Sequence, residues 1–262
     1  MLQAILLGRK YFFLMAIFSC LGFPRLLQAK NLTCYTTEFP PFVIHKNNRI
    51  SGIDVDIIAE AAQRSGIIVD FKLLPWVRLE NELKKGGASE VECAFSFAKN
   101  DAREGYMDFT NAPIKLTSYV LFAKNGSVAR QDGIAGLKGK IIGLRRGFIV
   151  PGIFEEMRRK NDISIQEIDS DEANFVKLEK GRIDGVITNA EVGYAILSPA
   201  QLSAFTPIEL AIEKVPTYIV FNKEKKLSAQ LAAFNKAMKE INADGSGKKI
   251  RNKYLHFSSN QH

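Results

Sequence analysis

The chain has 262 residues, of which 46% are hydrophobic and 24% are charged, with a formal net charge of +8 at pH 7. A chain of this length and apolarity can bury a substantial core, which excludes an intrinsically disordered protein and allows one large domain or two small ones. Its basic residues form short clusters, such as Arg145-Arg146 and Lys248-Lys249, without the interleaved aromatic residues of a nucleic-acid surface. We therefore expect no nucleic-acid partner.

The first 29 residues have the pattern of an export signal. Arg9 and Lys10 precede an apolar run from Tyr11 to Phe23, and Leu27-Gln28-Ala29 offers a small residue at a cleavage site. The apolar run is about 13 residues long, short of the roughly 20 that span a bilayer, which favours a cleaved signal over a retained anchor. We expect a periplasmic protein that is cleaved near Ala29.

After the signal, apolar extended runs alternate with helical patterns, as is typical of an α/β sheet with crossover helices. In a first unit the pattern predicts strands at residues 32–36, 67–73 and 91–97 and helices at residues 54–65 and 77–85. Asp54 is expected to cap the first of these helices, and Gly66 to end it.

A second unit repeats this order. Strands are predicted at residues 140–144, 163–168 and 183–188, with one helix from near Pro151 to about Lys160. The other helix is predicted to begin at a capping box formed by Asp169 and Glu172 and to end at Gly181. Asp54, Asp56 and Asp184 are interpreted as structural acids at helix or strand ends.

Two apolar, β-rich segments, residues 118–123 and 218–222, are expected to carry the chain out of the first unit and back again. This predicts two lobes: a discontinuous lobe of residues 30–122 and 219–262, and a second lobe of residues 123–218. Each lobe would hold a mostly parallel sheet flanked by helices, and a helix over residues 228–242 would pack back on the first lobe.

Cys34 and Cys93 both lie inside predicted strands of the exported part. A disulfide is permitted outside the cytoplasm, and two neighbouring parallel strands would bring the pair into range. Two buried free thiols are the alternative.

At this point the chain resembles the family 3 bacterial extracytoplasmic solute-binding proteins, which serve ABC transporters for polar amino acids. The resemblance covers essentially the whole mature chain and rests on six phrases in order: Phe39-Pro40-Pro41-Phe42, Ser51-Gly52-Ile53-Asp54-Val55-Asp56, Pro75-Trp76-Val77-Arg78, Arg103 through Thr110, Gly181 through Val186, and Ala243-Asp244-Gly245-Ser246 through Tyr254.

The resemblance implies a type II-like periplasmic-binding-protein clamshell whose two lobes close over one small ligand. It also implies delivery of that ligand to a membrane ABC permease by a monomer without a cofactor. A hinge between two lobes converts ligand contacts made by both lobes into a closed population that a permease can recognise.

The resemblance gives Arg103 the role of the arginine that binds a ligand carboxylate, which a guanidinium can hold through two parallel hydrogen bonds. The alternative is a surface arginine paired with Asp101 or Glu104. Phe39 and Trp76 fall where family members place aromatic walls around the ligand. Core packing is the alternative for both rings.

Ser96 and Phe97 end the third predicted strand, where a hydroxyl and backbone N–H groups would meet the same ligand. From the second lobe, the backbone amides of Phe148 and Ile149 precede a helix start, which favours an anion. Family members often carry a Ser or Thr hydroxyl at these two positions.

Asn189 stands where many amino-acid binders have an aspartate that pairs with the ligand's ammonium group. An amide cannot neutralise an ammonium, so Glu191 or Glu38 would have to compensate, or the ligand lacks a free α-amino group. The sequence therefore predicts a small polar ligand with a carboxylate, an amino acid or a related organic acid.

Two other functions remain open. The same clamshell occurs in periplasmic cyclohexadienyl dehydratases, but His45, His256 and His262 are scattered, and no Ser-His-Asp order, metal-ligand spacing or phosphate loop is present. We therefore expect no enzyme. The second alternative is a ligand-sensing module that signals through a membrane receptor.

Overall fold

The structure is a computed structural model that describes residues 31–127, 133–209 and 214–259, with side chains described up to Tyr254. The predicted export signal, residues 1–29, lies outside the described residues. Within the described ranges, no helix combines the length and apolarity needed to cross a bilayer.

The first lobe is built on a sheet whose strands come from both ends of the described chain. These strands are β1 (Asn31–Thr36), β4 (Ile68–Leu73), β5 (Cys93–Ala98), β6 (Met107–Phe109), β7 (Lys115–Thr117) and β13 (Val215–Asn222). Their order is β4-β1-β5-β13-β6, with β7 also paired to β13. β1 runs parallel to β4 and β5, whereas β13 is antiparallel to β5, β6 and β7. A small hairpin of β2 (Ile44–Lys46) and β3 (Arg49–Ser51) precedes the first helix.

The helices of this lobe are α1 (Ile53–Ser65), α2 (Trp76–Lys84), α3 (Asp101–Glu104), α8 (Ser228–Asp244) and α9 (Ser246–Ser259). α1 ends at Gly66, which adopts the left-handed conformation at φ 64°, as the sequence predicts. Its N-cap is Gly52, and no side chain caps it, so the expected cap at Asp54 is wrong. α8 packs on α1, which confirms the predicted return of this helix to the first lobe.

The second lobe contains β8 (Tyr119–Lys124), β9 (Ile141–Arg145), β10 (Ser164–Ile168), β11 (Gly185–Asn189) and β12 (Phe205–Glu209), in the order β10-β9-β11-β8-β12. Its helices are α4 (Gly152–Arg159), α5 (Asp171–Glu179), α6 (Ala190–Ile196) and α7 (Pro199–Ala204). β9 is parallel to β10 and β11, and β8 is antiparallel to β11 and β12. The cap of α5 is Ser170, one residue after the predicted Asp169, and its hydroxyl accepts from the N–H of Ala173.

Successive side chains of a strand point to opposite faces of the sheet, so the second sheet has a core on each face. Leu121 and Ile187 pack on one side, while their neighbours Phe122 and Val186 pack on the other. The two segments expected to carry the chain between the lobes lie inside the sheets instead, residues 119–123 in β8 of the second sheet and residues 218–222 in β13 of the first. They are apolar because these strands are buried. The outgoing chain changes sheet at Ser118, between β7 and β8.

The parallel strands belong to the predicted βα units, and the antiparallel neighbours are the strands next to the crossings. The α/β class with two lobes of helix-flanked sheets is confirmed, but the sheets are mixed and not mostly parallel as expected. The difference arises because β13 joins the first sheet, and β8 and β12 the second, in the antiparallel direction. Cys34 of β1 and Cys93 of β5 are direct neighbours in register, with Cα atoms 4.4 Å apart, and they form a disulfide. The open choice between a disulfide and free thiols is thereby resolved.

Candidate functional site

A cavity lies between the two lobes at the carboxyl ends of β1 and β5. The first lobe contributes most of its wall: Thr36, Thr37, Phe39, Trp76, Ser96, Ala98, Arg103, Lys115, Thr117 and Thr217. The second lobe contributes Tyr119, Phe148 and Ile149. The cavity has a volume of about 30 Å³, which is room for only a few water molecules.

Phe148 explains this small volume, because its ring fills the space between the two predicted aromatic walls. The ring lies edge-on to Phe39, with centroids 5.1 Å apart, and edge-on to Trp76, with centroids 5.2 Å apart. Phe97 is fully buried and stacks on Trp76 at 4.3 Å, so it supports the wall without lining the cavity. The rings of Phe39 and Trp76 from the first lobe and of Phe148 from the second thus form one apolar contact across the cleft.

Arg103 is buried, with 3% of its surface exposed, and its guanidinium is held mainly by Glu80 of α2. Nε donates to Oε1 of Glu80 at 3.1 Å, and Nη2 donates to Oε2 at 3.3 Å. The alternative of a surface pair with Asp101 or Glu104 does not occur, and Glu104 pairs with Lys99 instead. The arginine therefore already holds a carboxylate of its own chain.

The environment of Glu80 keeps it ionised. Burial raises the pKa of Glu80. The hydrogen bonds and charge of Arg103 and a hydrogen bond from the Tyr106 hydroxyl at 3.1 Å lower this pKa by more than burial raises it, so the net shift is downward. The pKa of Tyr106 is raised to about 12 by burial and by the negative charge of Glu80. Arg103, Glu80 and Tyr106 form one connected network beside the cavity.

The carbonyl of Gly147 crosses from the second lobe to the first. It accepts from Nη2 of Arg103 at 2.9 Å and from Nε1 of Trp76 at 3.2 Å. Gly147 has φ 76°, and a Cβ built there would lie 2.8 Å from Cδ1 of Trp76, so only glycine allows this approach. The carbonyl oxygen occupies donors that a ligand oxygen would also require.

Arg145, at the end of β9, makes a second contact between the lobes, one that sequence reasoning did not assign. It donates to the Thr37 hydroxyl at 3.2 Å and to the backbone carbonyl of Glu38 at 3.1 Å. It also lies 3.5 Å from a carboxylate oxygen of Asp171, which is 2% exposed. The side chain of Glu38 is on the surface and accepts from the N–H of His45, so only its backbone takes part.

Lys115, which lines the cavity, forms a buried ion pair with Asp54. Oδ2 of Asp54 also accepts from the hydroxyl of Ser96 at 2.6 Å. Burial lowers the pKa of Lys115, and the nearby carboxylates of Asp54 and Glu191 only partly offset this. The sequence signal for a buried partner is Asp54 itself, which shares the apolar helix face with Ile57, Ile58 and Ala61. The short strand β7 gives no signal that Lys115 is that partner.

Asn189 is buried at the start of α6 and serves as its N-cap. Its Oδ1 accepts from the N–H of Glu191 at 3.0 Å, and its Nδ2 has no hydrogen-bond partner among the described residues. Oε2 of Glu191 is also buried without a hydrogen bond to any described residue. Neither residue lines the cavity itself. The described residues contain no group of three or more His, Cys, Asp or Glu side chains suited to a metal ion.

The chain is similar to known binding proteins over most of its length. A family model for bacterial extracellular solute-binding proteins, family 3, matches residues 32–257. A probable amino-acid-binding protein of Bacillus subtilis, YxeM, is 24% identical over 84% of this chain and 81% of its own. The ABC transporter arginine-binding protein 1 of Escherichia coli is 28% identical over 84% of this chain and 88% of its own.

Solved structures share the fold. An ancestral arginine-binding protein bound to arginine has a TM-score of 0.73 at 23% identity, covering 86% of this chain and 98% of its own. A histidine kinase sensor domain with similarity to periplasmic binding proteins has a TM-score of 0.72 at 21% identity, covering 87% and 96%.

Proposed function

Because the chain belongs to the bacterial extracellular solute-binding proteins, family 3, we propose that it binds an amino acid or a related small carboxylate between its lobes and delivers it to a membrane ABC permease. The relatives are named for amino acids, among them arginine, histidine and cystine. The interlobe cavity supplies the chemistry for such a ligand: two aromatic walls and one buried guanidinium.

The position of Arg103 carries this proposal. A guanidinium has five N–H donors, and in this closed arrangement Arg103 uses donors on Glu80, on the carbonyl of Ala98 and on the carbonyl of Gly147. The Gly147 contact comes from the other lobe, so opening of the cleft releases a donor of Nη2 beside the cavity. A ligand carboxylate takes that donor and replaces the Gly147 carbonyl.

The ligand enters the slot that the Phe148 ring now fills, and the loop after β9 withdraws to admit it. Phe39, Trp76 and Ser96 contact the ligand from the first lobe, and the backbone amide of Ile149 contacts it from the second. The backbone N–H of Phe148, which the sequence also offered as a donor, is engaged with the carbonyl of Arg145 at 3.1 Å. Asn189 contributes no charge, so an ammonium group of the ligand must find another partner.

We further propose that the two lobes move as two bodies, one built on the sheet of β1, β4–β7 and β13 and the other on the sheet of β8–β12. The boundaries expected at residues 122/123 and 218/219 would cut β8 and β13, so they shift by a few residues to the ends of these strands. We also propose that the mature periplasmic protein begins after Ala29 and is a monomer. Its family consists of solute-binding proteins, and we propose no catalytic residue. The similarity to a histidine kinase sensor domain favours one second candidate, in which the occupied protein signals to a membrane receptor.

A ligand panel tests the proposed function. The protein from Lys30 onward is screened by thermal shift against amino acids, amines and small carboxylates, and hits are measured by calorimetry. We expect one or a few carboxylate ligands to raise the melting temperature and to be recovered unchanged. Turnover of a ligand, or no binding by any member of the panel, contradicts the proposal.

The role of Arg103 needs a variant that still folds. Arg103→Ala alone removes the main charged partner of Glu80 and leaves it only the Tyr106 hydroxyl and Lys84 at 4.0 Å. Breaking a buried ion pair in this way costs up to about 3–5 kcal/mol of stability. The double variant Arg103→Met/Glu80→Gln removes both charges, and Arg158→Ala on the surface of α4 is its control. We expect the double variant to fold and to lose binding, whereas the control binds like the wild type.

A further inference from the structure

We propose that the hinge-side wall of the cavity is a subsite for an uncharged hydrogen-bonding group of the ligand, such as a carboxamide. The wall is formed by one buried ammonium and three threonine hydroxyls: Lys115, Thr36, Thr117 and Thr217. This inference rests on the proposed function and names the class of ligand that the same cavity selects.

The three hydroxyls are buried without partners. Thr36 is 0% exposed, Thr117 4% and Thr217 7%, and none of their Oγ1 atoms has a hydrogen-bond partner among the described residues. A buried hydroxyl without a partner costs free energy, whereas valine has nearly the same shape and carries no such cost. Three such hydroxyls on one cavity wall indicate donors and acceptors that are reserved for a ligand.

The threonines come from three strands that meet at this wall. Thr36 ends β1, and β7 and β13 pair so that Thr117 lies opposite Val215, while Thr217 lies opposite Lys115. Their positions are fixed by the backbone ladder and not by a loop. A site built on strands holds its hydrogen-bonding groups in place before the ligand arrives.

Lys115 adds donors to the same wall. Its ammonium has three N–H groups; it is paired with Asp54, and it lies 4.0 Å from the centroid of the Phe42 ring. Lys115 lines the cavity, and its ammonium shares Oδ2 of Asp54 with the hydroxyl of Ser96, another lining residue. The proposal places a ligand oxygen against this ammonium.

The charges around Lys115 decide between a neutral and an anionic ligand group. Asp54 already neutralises the ammonium, and Glu191 lies close enough to act on it electrostatically. Arg251, which donates to the carbonyl of Ile114, adds one positive charge on the same side. With two acids against two cations, a carboxylate would bring an uncompensated charge into a buried site, whereas a carboxamide brings none.

Hydroxyl groups suit a carboxamide because each can donate to its oxygen or accept from its nitrogen. Arg103 and the ligand's carboxylate would set the other end of the molecule. The subsite therefore selects an acid that carries an amide or hydroxyl group at its far end, in preference to a second acid or an apolar side chain.

Calorimetry with near-isosteric ligands tests the inference. Each of two probe sets contains an amide, its acid and an apolar counterpart: L-asparagine, L-aspartate and L-leucine in one, and L-glutamine, L-glutamate and L-methionine in the other. Every probe is titrated into the wild type, Thr117→Val and Thr217→Val. Thr206→Val, on β12 outside the cavity, is the control: its hydroxyl donates to Oδ1 of Asn125, so this variant should lose some stability but bind ligands like the wild type. We expect an amide to bind at least tenfold more tightly than its acid and its apolar counterpart.

The valine variants separate a ligand subsite from a structural role. We expect Thr117→Val and Thr217→Val to weaken amide binding about tenfold, to keep the melting temperature of the free protein at or above that of the wild type, and to narrow the gap between amide and apolar ligands. Unchanged amide affinity in both variants, or tightest binding of an acid or an apolar member, overturns the inference and leaves the proposed function standing. If the wild type binds no amino acid or carboxylate at all, the proposed function itself is overturned.

Discussion

Arg103 holds Glu80 through two hydrogen bonds, Nε to Oε1 at 3.1 Å and Nη2 to Oε2 at 3.3 Å. The residue that resembles the carboxylate-binding arginine of its family is thus engaged by an internal carboxylate before any ligand arrives. Glu80 fixes the plane of the guanidinium and also competes for its charge. If Arg103 binds the ligand as proposed, the strength of binding depends on how the guanidinium is shared between Glu80 and the ligand carboxylate.

Glu80→Gln should strengthen the binding of a carboxylate ligand. Glutamine keeps one oxygen acceptor for Arg103 but removes the competing charge, and a charged hydrogen bond contributes about 1.5–3 kcal/mol, so we expect roughly a tenfold gain. Calorimetry measures this. Glu82→Gln, on the same helix but paired at the surface with Lys85, is the control and should bind like the wild type. Weaker binding by Glu80→Gln would show that Glu80 only positions the arginine.

The Phe148→Ser variant should bind the ligand more tightly than the wild type and should also accept larger ligands. The Phe148 ring fills the slot between Phe39 and Trp76, so the wild type must displace it before a ligand can enter. The chain has one tryptophan, Trp76. Its fluorescence emission should change when the Phe148 ring leaves the slot, and the ligand-free Phe148→Ser variant should show the emission of an open slot. Ile153→Ser, at an exposed position of the following helix, is the control. An unchanged affinity and spectrum would contradict this role for the ring.

Asn189→Asp should improve affinity for α-amino acids. The new carboxylate still accepts from the N–H of Glu191 and also offers an anion to an ammonium group, a gain of about tenfold for one charged hydrogen bond. It should lower the melting temperature of the free protein, because the position is buried. Asn252→Asp, on the exposed face of α9, is the control. No gain in affinity would indicate that the cleft is not built for an ammonium.

Removal of the disulfide should lower stability without changing ligand affinity. Cys34 and Cys93 are separated by 59 residues in sequence and are fully buried away from the cavity. Chain entropy for a loop of this length corresponds to about 4 kcal/mol, so Cys34→Ala/Cys93→Ala should unfold at a clearly lower urea concentration. The wild type treated with reductant should have the same urea midpoint as the variant. A midpoint unchanged from that of the untreated wild type in both samples would contradict the Cys34–Cys93 disulfide.

Acid should destabilise the folded protein through Glu80. Its pKa in the folded protein lies below the value of about 4.3 in an unfolded chain, because the contacts with Arg103 and Tyr106 outweigh burial. The unfolded state therefore binds a proton first, and the contribution of Glu80, present above that value, is lost as pH falls through the folded pKa. Burial raises the pKa of Asp171 despite the charge of Arg145, so Asp171 acts in the opposite direction.

Urea unfolding at several pH values measures this effect. Below about pH 4.3 the free energy of unfolding of the wild type should fall more steeply than that of Glu80→Gln, in which the group cannot titrate. Equal slopes in the two proteins would mean that Glu80 does not contribute to acid sensitivity.

The predicted elements of the two βα units agree with the structure to within about two residues, since hydrophobic period, glycine stops and capping residues are local signals. The helix predicted at residues 54–65 is α1, and the strand predicted at residues 140–144 is β9. The short strands β6 and β7 and the helices α6 and α7 were not predicted, because segments this short carry no periodic pattern of their own.

Local sequence patterns were enough for the α/β class and for the return of the helix at residues 228–242 to the first lobe, and the family resemblance identified the aromatic and guanidinium residues of the cleft. Only the tertiary structure decided which partners these residues have: Glu80 for Arg103, Lys115 for Asp54, and Phe148 between Phe39 and Trp76. Local propensity depends on neighbouring residues, whereas these partners are far apart in sequence: 23 positions for Arg103 and Glu80, 61 for Lys115 and Asp54, and 148 − 39 = 109 for Phe148 and Phe39. Such contacts exist only after the sheets have brought distant strands and loops to the same crevice.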